Sequence, residues 1–256
     1  MVKGDFNFCK IQINDFLNEI DENIDFLKDF SFSEFRNNNK FHKYKKFYYS
    51  EGAEDNFQLA KFIYILLWGD RDDNKEYTHN ELKNAWASFS SSDGGLYGGE
   101  TINNYTPWLG QNGKEPKGLN SHEKEIIYIF KKKYTTIGNF MVLPKRIKWK
   151  DNDVYINNKK GSYKDLPDLF YKDLFKYNNS LIAKDFCLKN FLELYFDIDN
   201  DSYRAKDVFR HELRKNDNLN KDFILDFAKK SIEIIDYRAE KMISRLKEIM
   251  EKDSNE

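Results

Sequence analysis

Residues 220–252, NKDFILDFAKKSIEIIDYRAEKMISRLKEIMEK, place apolar side chains at Phe223, Ile224, Phe227, Ile232, Ile235, Met242, Ile243, Leu246 and Ile249. Spacings of three and four recur, which draws a hydrophobic stripe down one side of a long helix. A stripe of this length must be covered. The helix is therefore expected to dock as a cover over the rest of the chain or to form a homodimer contact.

Helical spacing recurs elsewhere. Ile13, Phe16, Leu17, Ile20, Ile24, Phe26, Leu27 and Phe30 predict one helix over INDFLNEIDENIDFLKDF, capped by Asn14 or Asp15. NFQLAKFIYILLWG reads as a buried helix stopped by Gly69. THNELKNAWASFSS carries Thr78 with Glu81 three residues on, the spacing of a capping box. NSHEKEIIYIFKKKY predicts a further helix with Asn120 or Ser121 as its cap. After Gly161 the pattern is helical to the end, including SLIAKDFCLKNFLELYF and SYRAKDVFRHELRKN. The expected β content is small: IGNFMVLP as a short buried strand, paired in a hairpin with VYIN at 154–157.

The stretch from Ser90 to Gly118 holds seven of the twelve glycines and two of the four prolines, and it reads as the longest loop. With no internal repeat and no clean linker, the chain is expected to be a single domain over residues 1–256. Its fold class is mostly α with a small β element, an α+β chain with a short hairpin and a long C-terminal helix.

Charge and cysteine content narrow the function classes. Lys and Arg number 42 against 43 Asp and Glu, a net charge of -1, so no global field draws the chain onto nucleic acid and any such binding needs a local patch. Cys9 and Cys187 show no metal-type pairing, which predicts a reducing compartment, no disulfide and no cysteine-based zinc site. The longest apolar run, FIYILLW at 62–68, is too short to span a bilayer. A cytoplasmic protein without membrane contact, cofactor or bound metal is the expectation.

The chemistry-bearing residues concentrate in the middle. GGETINNY at 98–105, YTTIGNFMVLP at 134–144 and INNKKGSYKDLPDLF at 156–170 together resemble an uncharacterised family of bacterial and phage proteins with an Asp-Thr-Met-Asn-type loop and a Thr-Ile-Gly-Asn-Phe motif ending in Pro. The resemblance spans roughly residues 95–200 and implies a role in phage defence, abortive infection or counter-defence. A fainter similarity is to the C-terminal HNH nuclease domain of GmrSD-type restriction systems. Tyr134 and Thr135 stand where that pattern has its His, and no Glu-His-Ile-x-Pro motif precedes them.

Read as a site, the same residues offer polar and cationic groups beside aromatic ones, the mixture that suits phosphate contact and base stacking. The candidate binding residues are Glu100, Thr101, Asn103 and Asn104 in the glycine-rich stretch, Asn139 in the motif, and Lys145, Arg146, Lys148, Asn157 and Asn158 beyond it. Read as structure, Gly138 permits close backbone approach, Asn139 a turn, and Pro144 ends the strand.

Two further constellations lie toward the C-terminal part of the chain. Arg204 and His211 in YRAKDVFRHELRK have the spacing of HEPN-type ribonucleases, which need no metal, although Ala205 replaces the polar residue that usually follows the Arg. DIDNDSYRAKDV starts like a calcium loop but has Ser202 at the turn position and Val208 in place of the bidentate Glu, so it reads as a turn between helices. The partners expected are RNA, DNA or a protein, with a ribonuclease or a non-catalytic interaction module as alternatives to nucleic-acid binding.

Overall fold

The computed structural model describes residues 6–33, 35, 41, 57–68, 96–102, 118–144, 171, 180–199, 202–205 and 220–251. In order these form α1 (Phe6–Ile20), α2 (Phe26–Asp29), α3 (Gln58–Trp68), β1 (Leu96–Glu100), α4 (Ser121–Lys133), β2 (Phe140–Pro144), α5 (Ser180–Lys189), β3 (Phe196–Asp199), β4 (Ser202–Ala205) and α6 (Lys221–Glu251). Short 3-10 turns at Ile137–Asn139 and Glu193–Tyr195 lead into β2 and β3. The fold is mostly α with a long C-terminal helix, as the periodicity predicts.

The last helix docks on the rest of the chain through one face and leaves the other exposed. Its 31 residues, about 46 Å at 1.5 Å per residue, pack against α2, α3, α4 and the Ile137–Asn139 turn. Its buried face runs from Ile224 to Ile249, so the apolar stripe is consumed inside the chain along its length. One hydrophobic cluster joins it to the other helices, and five phenylalanines (Phe16, Phe30, Phe32, Phe35 and Phe41) interlock with ring centroids 5.1 to 6.0 Å apart.

The single helix expected over 13–30 is two. It begins at Phe6, so Asn14 and Asp15 lie inside α1 and cap nothing. It stops at Asp21, whose φ is +58°. The Glu22 N–H donates to the Leu17 carbonyl at 3.0 Å and the Asp21 N–H to the Asn18 carbonyl at 3.2 Å, a Schellman stop built without glycine. Ile24, Leu27 and Phe30 resume the same spacing in and around α2, so the periodicity conceals the break.

A second stop of the same kind corrects the helical reading after residue 189. Phe191 takes φ +58°, with Leu192 N–H bonded to the Cys187 carbonyl at 2.9 Å and Phe191 N–H to that of Leu188 at 3.3 Å. The chain then turns into the antiparallel pair β3 and β4, with Phe196 opposite Ala205 and Asp197 opposite Arg204. The short hairpin is therefore here, where a helix-to-helix turn was expected.

The other strand pair also departs from expectation. β2 pairs antiparallel with β1, Glu100 opposite Phe140 and Leu96 opposite Pro144, so part of the glycine-rich stretch is strand. The partner expected for β2, residues 154–157, lies outside the described residues, as do the helix expected around Thr78 and the stop at Gly69.

α4 follows its sequence signals closely. Asn120 Oδ1 accepts from the Glu123 N–H at 3.0 Å, and Glu123 Oε2 accepts from the Asn120 N–H at 2.7 Å. Glu123 also pairs with Lys221 at the start of α6 at 2.7 Å. The Lys221 bond, then the Asn120 N–H, holds its carboxyl below the usual value. Asn120→Ala is expected to lower stability by about 1 kcal/mol, measurable as a lower urea midpoint at unchanged slope.

Candidate functional site

The Thr136–Phe140 segment enters from the end of α4, where the last helical carbonyls must find donors. Thr136 Oγ1 donates to the Lys133 carbonyl at 2.8 Å, and Thr135 Oγ1 meets Ser31 Oγ at 2.7 Å. Lys133 reaches Asp29 at 2.5 Å and also pairs with Asp236. Burial lowers the Lys133 pKa, but the bonds to Asp236 and Asp29 outweigh it and leave the ammonium above its ordinary value. Three elements are thereby fixed around one helix end.

Asn139 is fully buried and uses its whole side chain inside the protein. Oδ1 accepts from Thr101 Oγ1 at 2.9 Å and from the Ile102 N–H at 2.8 Å. Nδ2 donates to the Ile102 carbonyl at 3.1 Å and to the Tyr134 carbonyl at 2.9 Å. The Thr101 N–H adds a bond to the Asn139 carbonyl at 2.7 Å. The side-chain amide therefore continues the β1–β2 pairing by one step past Glu100, acting as a backbone group would.

Around this amide lies a wider buried polar network. Thr101 Oγ1 also lies 2.6 Å from Tyr195 Oη, and Tyr171 Oη donates to the Thr101 carbonyl at 3.1 Å. Burial pushes the Tyr195 hydroxyl up to about 12, against the opposing pull of Arg238 and Thr101. Arg238, fully buried on α6, donates from Nη1 to the Gly138 carbonyl at 2.8 Å and to that of Phe140 at 2.6 Å. Its Nε donates to the Asn190 carbonyl at 3.0 Å, and its guanidinium sits 5.8 Å from the Trp68 ring. Burial lowers the Arg238 pKa, with Tyr195 first among the groups that oppose it.

The expected binding residues are thus divided. Thr101 and Asn139 do meet, but in the interior and not across a cleft; their polar groups are occupied by the chain itself. Glu100 is half-buried beside them at the end of β1. Asn103, Asn104, Lys145, Arg146, Lys148, Asn157, Asn158 and His211 lie outside the described residues. Arg204 is carried by strand β4, whereas the HEPN reading needs it on a helix with His211.

Among the described residues no group of three or more His, Cys, Asp or Glu side chains is placed to hold a metal. No described helix is long and apolar enough to cross a membrane. Cys9 and Cys187 are buried, and burial, reinforced by Glu193, pushes the Cys187 thiol up and away from reactivity.

The solvent face of α4 holds a group of residues that the sequence reading does not single out. Lys124, Tyr128 and Lys132 are exposed at successive i,i+4 positions, and Tyr128 is 69% exposed. Residues four apart lie one above the other on a helix, so Tyr128 has a lysine one turn before it and one turn after it on the same face. The spacing is visible in SHEKEIIYIFKKK. Tyr128 adjoins Ile126, Ile127 and Phe130 there, and beside them it reads as one more member of the buried stripe.

Compared with models of known protein families, with curated proteins and with solved structures, the chain matches none.

Proposed function

We propose that the chain binds single-stranded nucleic acid on the exposed face of α4, within a bacterial defence or phage counter-defence setting. The observation that carries the proposal is Tyr128, a large aromatic side chain left 69% exposed with a lysine one turn to either side. Single strands are held by stacking bases on aromatic rings while cations track the phosphates. With a net charge of -1 the attraction has to be local, and this face supplies a local patch. The host–phage setting is supported by the sequence resemblance alone.

Titration of a labelled oligonucleotide at low salt tests the reading. Tyr128→Ala should weaken binding by roughly tenfold or more, the equivalent of about 1–3 kcal/mol of stacking per base. Lys124→Glu with Lys132→Glu should weaken it further and flatten the salt dependence by about 0.7 for each phosphate that is no longer neutralised. Circular dichroism should be unchanged, because all three side chains are exposed. No binding at low salt, or equal affinity in Tyr128→Ala, would remove the proposal.

A further inference from the structure

Among the described residues, four buried side-chain polar atoms have no hydrogen-bond partner: Ser231 Oγ, two turns earlier on α6, and three on groups where α6 meets the 190–193 turn, Arg238 Nη2, Asn190 Oδ1 and Glu193 Oε2. These three groups are tied together. Arg238 Nε donates to the Asn190 carbonyl at 3.0 Å. Asn190 Nδ2 donates to the Phe186 carbonyl at 2.9 Å, which fixes the amide orientation and leaves Oδ1 as the accepting atom. Glu193 opens the 3-10 turn that packs on α6, and its charge acts on the Arg238 guanidinium.

The set consists of one donor atom and two acceptor atoms. A cation there would face the guanidinium, and an anion would face two acceptor oxygens. Leaving all three unpaired in the interior is costly for each of them. A water molecule accepts once and donates twice, which completes the set with three hydrogen bonds, the usual number for buried water.

We propose that this junction is a binding site for one structural water, which accepts from Arg238 Nη2 and donates to Asn190 Oδ1 and Glu193 Oε2. The water converts Arg238 and Glu193 into a solvent-bridged ion pair. It also completes the link between α6, the stop of α5 and the turn into β3. The guanidinium thereby holds Gly138 and Phe140 with one nitrogen and the 190–193 turn with the rest of its fork.

A high-resolution crystal structure of the full chain, together with water-selective NOE spectra of the Arg238 side-chain N–H protons, tests the site. Expected are a density peak within hydrogen-bond distance of all three atoms and a water cross-peak that persists in Glu193→Gln, which keeps an acceptor, and is lost in Glu193→Leu. A direct contact of Arg238 Nη2 with Glu193 or Asn190, or a wild-type protein with neither peak nor cross-peak, overturns the proposal. Should Glu193→Leu fail to fold, the wild-type density and spectrum decide on their own.

Discussion

Gly138→Ala is expected to destabilise the chain by about 3 kcal/mol or more, a large fraction of the stability of an ordinary domain. A Cβ at this position would overlap the backbone carbonyl oxygen of Ile235 and come within 2.9 Å of the Ala239 Cβ and 3.1 Å of Ile235 Cγ2. The first obstacle is helix backbone, which cannot rotate aside as a flexible side chain can. Gly138 is therefore required for space, so that the Ile137–Asn139 turn can lie directly on α6. Its own carbonyl is held by Arg238, so a shift that relieved the clash would break that bond too. Thermal or urea unfolding measures the loss. Adding Ala239→Gly should restore only part of it, because the Ile235 carbonyl remains.

Asn139→Leu should cost about 4 kcal/mol, because it leaves the Ile102 N–H, the Ile102 carbonyl and the Tyr134 carbonyl buried without their partner at about 1–3 kcal/mol each, less what relaxation recovers. Leucine matches asparagine in size, so cavity formation contributes little and the loss reports the hydrogen bonds. Asn139→Asp tests the same site through pH. An ionised carboxylate there would face the Tyr134 and Ile102 carbonyls in full burial. The folded state would then raise the acid's pKa above its unfolded value of about 4. A raised folded pKa means that stability is greatest below the unfolded pKa and is lost as pH rises through the folded one. Asn139→Asp should therefore become more stable as pH falls from neutral toward 4, a trend absent from Asn139→Leu.

How much of this the sequence shows depends on whether the deciding interaction is local. The capping box at Asn120 and Glu123 is local, and α4 begins where it says. The stripe of α6 is long enough to fix helix type and inward face together, and the helix docks on the chain through that face. The stops at Asp21 and Phe191 escape notice because both residues adopt a left-handed backbone without being glycine, while the apolar spacing continues past them. β1 escapes because Gly98 and Gly99 read as loop, whereas antiparallel pairing with β2 makes them strand. Strand pairing joins residues some forty positions apart, which no local window contains.

The site divides in the same way. Thr101 and Asn139 are legible as a pair of unusual polar residues flanking a close approach, but not the side of the surface on which they lie. Arg238 leaves one signal, a gap between Ile235 and Met242 in the stripe of α6, and the guanidinium fills that gap facing inward. A polar residue at a core position of a helix is the sign of a buried partner, here the carbonyls of Gly138 and Phe140.

The Thr-Ile-Gly-Asn-Phe segment thus serves as an interior latch between β1 and α6, and the contact with nucleic acid proposed above is placed on the outer face of α4. Native-state hydrogen exchange at the Thr101 and Ile102 amides tests the latch most directly. Both N–H groups donate to Asn139, so they should exchange as slowly as the buried core of α6, through global unfolding only. Exchange of these two amides near the rate of a free peptide, while α6 stays protected, would contradict the latch.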